Sequence, residues 1–179
     1  MEAIYTKIKY QEVTVWFLRT KTPPIINENT IDIQLIRQVK PKAEEYLKLY
    51  SDIGKQWNWT ERILMSPQEL NKTLNTSNNE IYYAYINTTI VGYCELRTKS
   101  DEIDEIEIKY FGLLAEAQGK GYGRAMMEAC FAIVQQKNIK SIMLHTCSLD
   151  SPNAMRFYQK MGFTVYREIK EKQAIFILT

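Results

Sequence analysis

Three strand-like segments follow one another almost without a break in the middle of the chain: EIYYAYIN (80–87), TIVGYCELRT (89–98) and EIDEIEIKYFGLL (102–114). They are rich in β-branched and aromatic residues and joined by short turns, which predicts an antiparallel meander. At Gly121 the apolar period changes from 2 to 3.6 and holds for about 16 residues, a helix. SIMLHTC (141–147) then reads as a buried strand. A second helix starts at Ser151-Pro152, runs through Phe157 and Met161, and stops at Gly162, and TVYREIKEKQAIFILT (164–179) supplies one or two final strands. A meander followed by helix, strand, helix, strand predicts an α/β (α+β) domain. Its central sheet is mixed and mostly antiparallel, flanked by helices, and not doubly wound.

Upstream, residues 4–19 alternate as one or two strands, and TKTPPIINENT (20–30) is a loop because Pro23 and Pro24 cannot join a ladder. Residues 31–39 form a strand. AEEYLKLYSDIG (43–54) has helical spacing, and Ser66-Pro67-Gln68-Glu69 is a capping pattern opening a short helix to about Leu74. No repeat, low-complexity run or linker divides the chain, so residues 1–179 read as one domain with residues 1–30 as additional N-terminal strands.

The formal charge of +2 demands neither nucleic acid nor an acidic membrane as partner. Three cysteines, Cys94, Cys130 and Cys147, have no CxxC spacing and read as small buried side chains in a reducing compartment. A lone histidine, His145, makes a zinc site or a Ser/His/Asp triad hard to build and reads as a strand residue with a satisfied ring. The charged N-terminus is no signal peptide, and no apolar run reaches about 18 residues. The expected location is cytoplasmic, with no membrane partner and no metal. A homodimer is compatible with the sequence.

Gly119, Gly121 and Gly123 crowd the turn AEAQGKGYGRAMM between a strand and a helix. The turn is not a P-loop, because GxxxxGK[ST] is absent. Nor is it a dinucleotide fingerprint, because the third glycine would fall at Arg124. What remains is Gln118-x-x-Gly121-x-Gly123 leading into a helix N-terminus. Converging backbone N–H groups, the helix dipole, and Lys120 and Arg124 beside them suit a pyrophosphate. A glycine-rich turn without a ligand fits the same residues.

A second segment bears on this choice. LDSPNAMRFYQKMGF (149–163) places an asparagine near a helix start, an aromatic-Tyr pair and a terminal Gly-Phe about 30 residues downstream. Together the two segments resemble the GNAT acetyltransferase superfamily, whose signature is [RQ]-x-x-G-x-[GA], with Asn153, Tyr158, Gly162 and Phe163 matching its second motif. The likeness covers residues 80–165 well, as an acyl-CoA-binding core, and residues 31–75 loosely. It implies that acetyl-CoA, as co-substrate, lies where two neighbouring parallel strands splay apart. The backbone of Phe111, Gly112 and Leu113 would pair with the pantetheine arm. Gln118, Gly119, Lys120, Gly121, Tyr122, Gly123 and Arg124 would hold the pyrophosphate. Gly112 itself is consistent with a bulge or a close backbone approach.

The implied chemistry is direct attack of an amine on the thioester in a ternary complex, without a metal or a covalent enzyme intermediate. An amine with a pKa of about 10 is mostly ammonium at neutral pH, so a base must take its proton. Glu95, Glu105 and Glu107 lie on strands of the cleft. Glu107, eleven residues before Gln118, stands where some family members keep a catalytic glutamate, although SDEIDEIE also fits a solvated strand face. A backbone N–H near Phe111 would face the oxyanion. Tyr158 stands where the family keeps the general acid for the leaving thiolate, and is otherwise a core tyrosine. Asn153 would cap a helix or bond the pantetheine arm.

The acceptor side is thinner. Trp57 and Trp59 either line an acceptor pocket, where their faces could hold a cation, or anchor a loop on the core. The acidic residues of 101–107 favour a cationic amine on a small molecule, peptide or protein. Two other functions fit the same residues: a non-catalytic acyl-CoA-binding or regulatory domain, and an interaction module docking through its N-terminal strands.

Overall fold

The computed structural model describes residues 5–21, 31–98 and 104–178; most of the loop expected at 20–30 and residues 99–103, with the acidic Asp101 and Glu102, lie outside the described residues. Seven strands form one sheet: β1 (Tyr5–Thr20), β2 (Ile33–Gln38), β3 (Asn79–Ile86), β4 (Thr89–Thr98), β5 (Glu105–Leu113), β6 (Ser141–Cys147) and β7 (Thr164–Leu178). Their spatial order is β2-β3-β4-β5-β6-β1-β7. Every neighbouring pair is antiparallel except β5 and β6, which are parallel. That exception follows from α3 (Tyr122–Gln136), a crossover helix that carries the chain back so that β6 starts at the same end as β5. α1 (Ala43–Gly54) and α2 (Pro67–Leu74) lie between β2 and β3 in the chain, and α4 (Ala154–Lys160) between β6 and β7. The mixed, mostly antiparallel sheet flanked by helices is the architecture expected from the pattern.

β1 and β7 are each one long strand rather than two. β1 is also internal: it is paired with β7 from Tyr5↔Leu178 to Arg19↔Thr164, and with β6 only from Val15↔Cys147 to Thr20↔Ile142. Local sequence explains the element ends. Ser66 and Glu69 form a reciprocal capping box with Pro67 in the first turn of α2. Asn87 (φ 53°) makes the two-residue turn from β3 to β4, and Gly162 (φ 91°) follows the end of α4. α4 starts at Ala154, with Asn153 in the N-cap position, but its side chain accepts no capping hydrogen bond, so the cap expected of Asn153 is not made.

Each face of the sheet buries its own apolar cluster. Leu96, Ile106, Ile108, Ile142 and Leu144 pack with Met127, Phe131 and Val134 of α3, while Ile81, Tyr83 and Tyr93 pack with Tyr46, Tyr50 and Ile53 of α1 and Leu70 and Leu74 of α2. β5 serves both clusters because of a bulge. Glu95 pairs with Tyr110 and Leu96 with Ile108, leaving Lys109 as the extra residue. Tyr110 therefore joins the α1–α2 cluster although Ile106 and Ile108 face α3. The bulge is at Lys109, not at Gly112. Gly112 marks a close approach instead: a Cβ there would run into Ile53 Cγ2.

Cys94 and Cys130 are buried free thiols, whereas Cys147 is only half-buried, since it lies beyond the last β5–β6 pair, where a cavity opens beside it. Among the described residues no helix is long and apolar enough to cross a membrane. The loop from α1 to α2 is held down by Arg62, whose side chain is 2 % exposed and paired with the fully buried Glu95 carboxylate and with the Tyr46 hydroxyl. Removing one member of such a pair strands the other in the core. Arg62→Met should cost about 3–5 kcal/mol in urea unfolding, and Arg62→Met/Glu95→Leu should recover most of that loss.

Candidate active site

β5 and β6 are hydrogen-bonded as a ladder only from Glu105↔Ser141 to Ile108↔Leu144. Both strands continue, β5 to Leu113 and β6 to Cys147, but beyond Ile108 no ladder joins them. β4 still pairs with Phe111, Gly112 and Leu113 on the other edge, so these residues are held extended with their β6-side backbone groups uncommitted to the sheet. The wedge opens into a cavity of about 570 Å³. Its walls come from β5, the end of β6, α4, the Gln118–Gly119 turn, the α1–α2 loop and β7.

Of the residues expected to hold acetyl-CoA, Phe111, Gly112, Leu113, Gln118, Gly119, Gly123 and Asn153 line this cavity. Lys120, Gly121, Tyr122 and Arg124 do not line it, and continue the turn past its rim. Gly119 (φ 74°) and Gly121 (φ 81°) take the left-handed conformation that a side chain would disfavour. Gly121 is the N-cap of α3, and no side chain caps that end, so the first-turn N–H groups are available to an anion. Gln118 Nε2 donates to the Leu113 carbonyl at 3.3 Å, tying the turn to the open end of β5. Lys120 is exposed, and Arg124 is paired with Glu128 at 2.8 Å.

Glu107 is placed otherwise than a base on the cavity wall would be. It does not line the cavity; it is 4 % exposed and faces Arg97, which donates to Oε2 from Nε at 2.9 Å and from Nη2 at 2.6 Å. Its Oε1 lies 3.4 Å from His145 Nδ1. Burial alone would raise this carboxyl, but the His145 hydrogen bond and the Arg97 charge overcome it and hold it down to about 2. The other strand glutamates are also engaged, Glu95 with Arg62 and Glu105 with Arg19 at 2.7 Å. His145 takes the place on the wall that Glu107 was expected to hold. Its position one residue beyond Leu144, the last paired residue of β6, was the signal available in sequence once the splay was known.

Tyr158 lines the cavity opposite, within a cluster of rings: Phe157 at 5.4 Å, Phe163 at 6.2 Å and Phe111 at 6.5 Å. Burial, with the nearby Asp150 charge, pushes its phenol well above 10, so it is a proton donor and not a phenolate at neutral pH. Trp57 and Trp59 both line the cavity. Trp59 does both things expected of the pair. It packs on Tyr110 at 5.1 Å and Tyr50 at 5.6 Å, and its Nε1 donates to Asp150 Oδ1 at 3.4 Å. Sequence reasoning missed Glu61, Asp150 and Glu171 on the same wall. Glu61 is paired with Lys109 at 2.9 Å, whose charge holds its carboxyl low against the effect of burial. Among the described residues no three His, Cys, Asp or Glu side chains are grouped to hold a metal ion.

The acetyltransferase (GNAT) family model matches residues 45–163 of the chain. The fold is similar to that of a GNAT family acetyltransferase from Elizabethkingia anophelis solved with acetyl-CoA bound (TM-score 0.57, 20% identity, 75% of this chain and 78% of that one). It is also similar to a GNAT family acetyltransferase from Streptococcus pneumoniae (TM-score 0.52, 23% identity, 74% and 88%). A conserved protein of unknown function from Staphylococcus epidermidis matches with TM-score 0.61 and 19% identity over 93% of this chain, which spans only 62% of that protein's length. No curated protein matches the sequence.

The Glu107 pair makes stability depend on pH. Its folded pKa is depressed from 4.5 to about 2, so its contribution is present above pH 4.5 and is lost as the pH falls through that interval. The difference corresponds to about 3 kcal/mol. Glu107→Gln should be less stable than the parent by about that amount at pH 7. The gap should close between pH 4.5 and 2 in urea unfolding series.

Proposed function

Because the chain belongs to the acetyltransferase (GNAT) family, we propose that it transfers the acetyl group of acetyl-CoA to an amine by direct attack within a ternary complex. One observation carries this reading: the uncommitted edge of β5 at Phe111–Leu113 leads from the cavity straight to the uncapped N-terminus of α3. A pantetheine arm pairing with that edge ends with its pyrophosphate over the turn of Gln118, Gly119, Lys120, Gly121, Tyr122, Gly123 and Arg124. Missing side chains at the glycines let backbone N–H groups reach the phosphates, and the helix dipole adds favourable charge. Asn153, the N-cap residue of α4, contributes a polar group to the same arm.

The thioester then sits at the apex of the splay, where a backbone N–H near Phe111 faces the developing oxyanion. Tyr158 protonates the departing thiolate. Burial keeps this phenol protonated at neutral pH, so a proton is in place for the departing thiolate. The acceptor enters from the α1–α2 loop and β7 side. Glu61, Asp150 and Glu171 line that wall with Trp57 and Trp59, and the one lysine there, Lys109, is already paired with Glu61. Carboxylates and aromatic faces together select a cationic amine. We read residues 1–179 as one such catalytic unit, with β1 an addition to the 80–165 acyl-CoA core. The free thiols Cys94, Cys130 and Cys147 suit the cytoplasm.

Acetyl-CoA at about 100 times its Kd should stabilise the protein by roughly 2.7 kcal/mol, a rise in Tm of about 5–10 °C. Gly123→Glu should abolish the rise by placing a carboxylate against the phosphates. The substitution is sterically mild, since a Cβ there would be 3.8 Å from Leu113 Cδ1 and Phe157 Cε2. Tyr158→Phe should keep the Tm rise while kcat for thiol release falls about 100-fold. No Tm rise in the parent protein would overturn the reading.

A further inference from the structure

We propose that His145 is the group that takes the proton from the acceptor amine, and that Glu107 acts through it as a positioning residue. The inference rests on the acetyl-transfer reading above and names its base.

The geometry comes first. His145 is the first residue of β6 beyond the ladder to β5, so its ring lies at the apex of the wedge, where the cavity begins. Its side chain is 29% exposed, while that of Glu107 behind it is 5% exposed. Nδ1 faces Glu107 Oε1 at 3.4 Å, a distance of the kind that shortens when a site closes on its substrates. Phe17 of β1, register partner of His145, flanks the ring with centroids 5.9 Å apart.

The tautomer follows from the partner. Glu107 is ionised and can only accept, and its Oε2 already takes two bonds from Arg97. A hydrogen on Nδ1 of a neutral His145 is the one Glu107 can accept, and that tautomer leaves the Nε2 lone pair as the ring's proton acceptor. Glu107 then does for His145 what a buried carboxylate does for a catalytic imidazole elsewhere: it sets the tautomer and stabilises the imidazolium.

The other ionisable groups on the wall do not serve. Glu61 is held low by Lys109, and Lys109 is its partner. Asp150 accepts from Thr146 Oγ1 at 2.7 Å, the Cys147 N–H at 3.0 Å and Trp59 Nε1. Burial pushes up the Tyr158, Tyr110 and Cys147 acids and takes Tyr50 to about 12. From β7, Glu171 lines the cavity with its Oε1 accepting from Gln173 Nε2 at 2.9 Å, and Arg167 stacks over Phe17 at 5.3 Å, one ring away from His145. The His145 ring, half-buried at the apex, is the wall side chain left with a nitrogen lone pair to accept a proton.

In the step itself, an N–H bond of the ammonium breaks and its proton goes to Nε2, from which it passes to solvent. The freed nitrogen lone pair attacks the thioester carbon, and the carbonyl pair moves to oxygen. The C–S bond then breaks, and the thiolate takes the Tyr158 proton. The second proton shed by nitrogen restores the phenol.

His145 is the sole histidine, so its ring can be read without assignment by ¹⁵N-detected NMR. We expect the Nδ1–H tautomer in the parent protein near pH 8, loss of that preference in Glu107→Gln, and a shifted ring signal on adding acetyl-CoA. With amine acceptors, His145→Gln should lower kcat about 100-fold and remove the acidic limb of the kcat–pH profile, leaving the acetyl-CoA Tm rise intact. Glu107→Gln should lower kcat and move that limb. An Nε2–H tautomer in the parent protein overturns the inference, as does a parent-like kcat profile in His145→Gln. Loss of the parent's Tm rise would instead sink the acetyl-transfer reading.

Discussion

The parallel contact between β5 and β6 lasts for four residue pairs and then stops, and the rest of the molecule is arranged around that stop. A continuous ladder would close the cavity, commit the backbone of Phe111–Leu113 and bury His145. What prevents closure is visible on both strands. The Lys109 bulge turns β5 over just past the last pair, sending Tyr110 toward α1 and Phe111 toward α4. On the other side, β6 is held by β1 through to Cys147, so it cannot follow β5. The two strands diverge because each is paired more firmly with its outer neighbour than with the other.

The floor of the wedge is pinned from the α1–α2 side. Ile53 and Trp59 press on β5 at Gly112, where no side chain larger than hydrogen fits. The loop carrying Trp59 is in turn anchored by Arg62 on Glu95. Two buried carboxylates on adjacent strands thus have an arginine each but different duties. Glu95 is sealed, bonded to Arg62 and to the Tyr46 hydroxyl, and its role is to hold the loop. Glu107 has an oxygen that faces a half-exposed ring on the cavity wall, so its charge is felt at the cavity.

Much of this was legible in sequence. The meander, the change of period at Gly121 and the capping pattern at Ser66 follow from local chemistry, and the structure keeps them. The left-handed φ at Gly119 and Gly121 is what a turn rich in glycine exists to permit. The position of β1 was not legible, because a strand's neighbours are set by long-range pairing and not by its own alternation. Nor was the bulge: Lys109 is an ordinary strand residue until its partner strand fixes the count. Glu107 and His145 are 38 residues apart and only the parallel pair brings them together, so spacing pointed to the carboxylate while the ring stayed hidden.

Under the proposed function, binding and reaction make opposite demands on an amine acceptor. A wall of Glu61, Asp150 and Glu171 with two tryptophans holds an amine best as its ammonium, and an ammonium has no lone pair with which to attack. Stronger carboxylate binding would lower KM and deepen the ground state that must be left before reaction. The conflict is resolved if the proton is removed inside the cavity by a wall group with a lone pair to accept it. A carboxylate held down to about 2 cannot do this efficiently, since its conjugate acid is far too strong to form at neutral pH. Interposing an imidazole lets the same negative charge act through His145, and thereby makes a strongly paired glutamate compatible with the proposed amine chemistry.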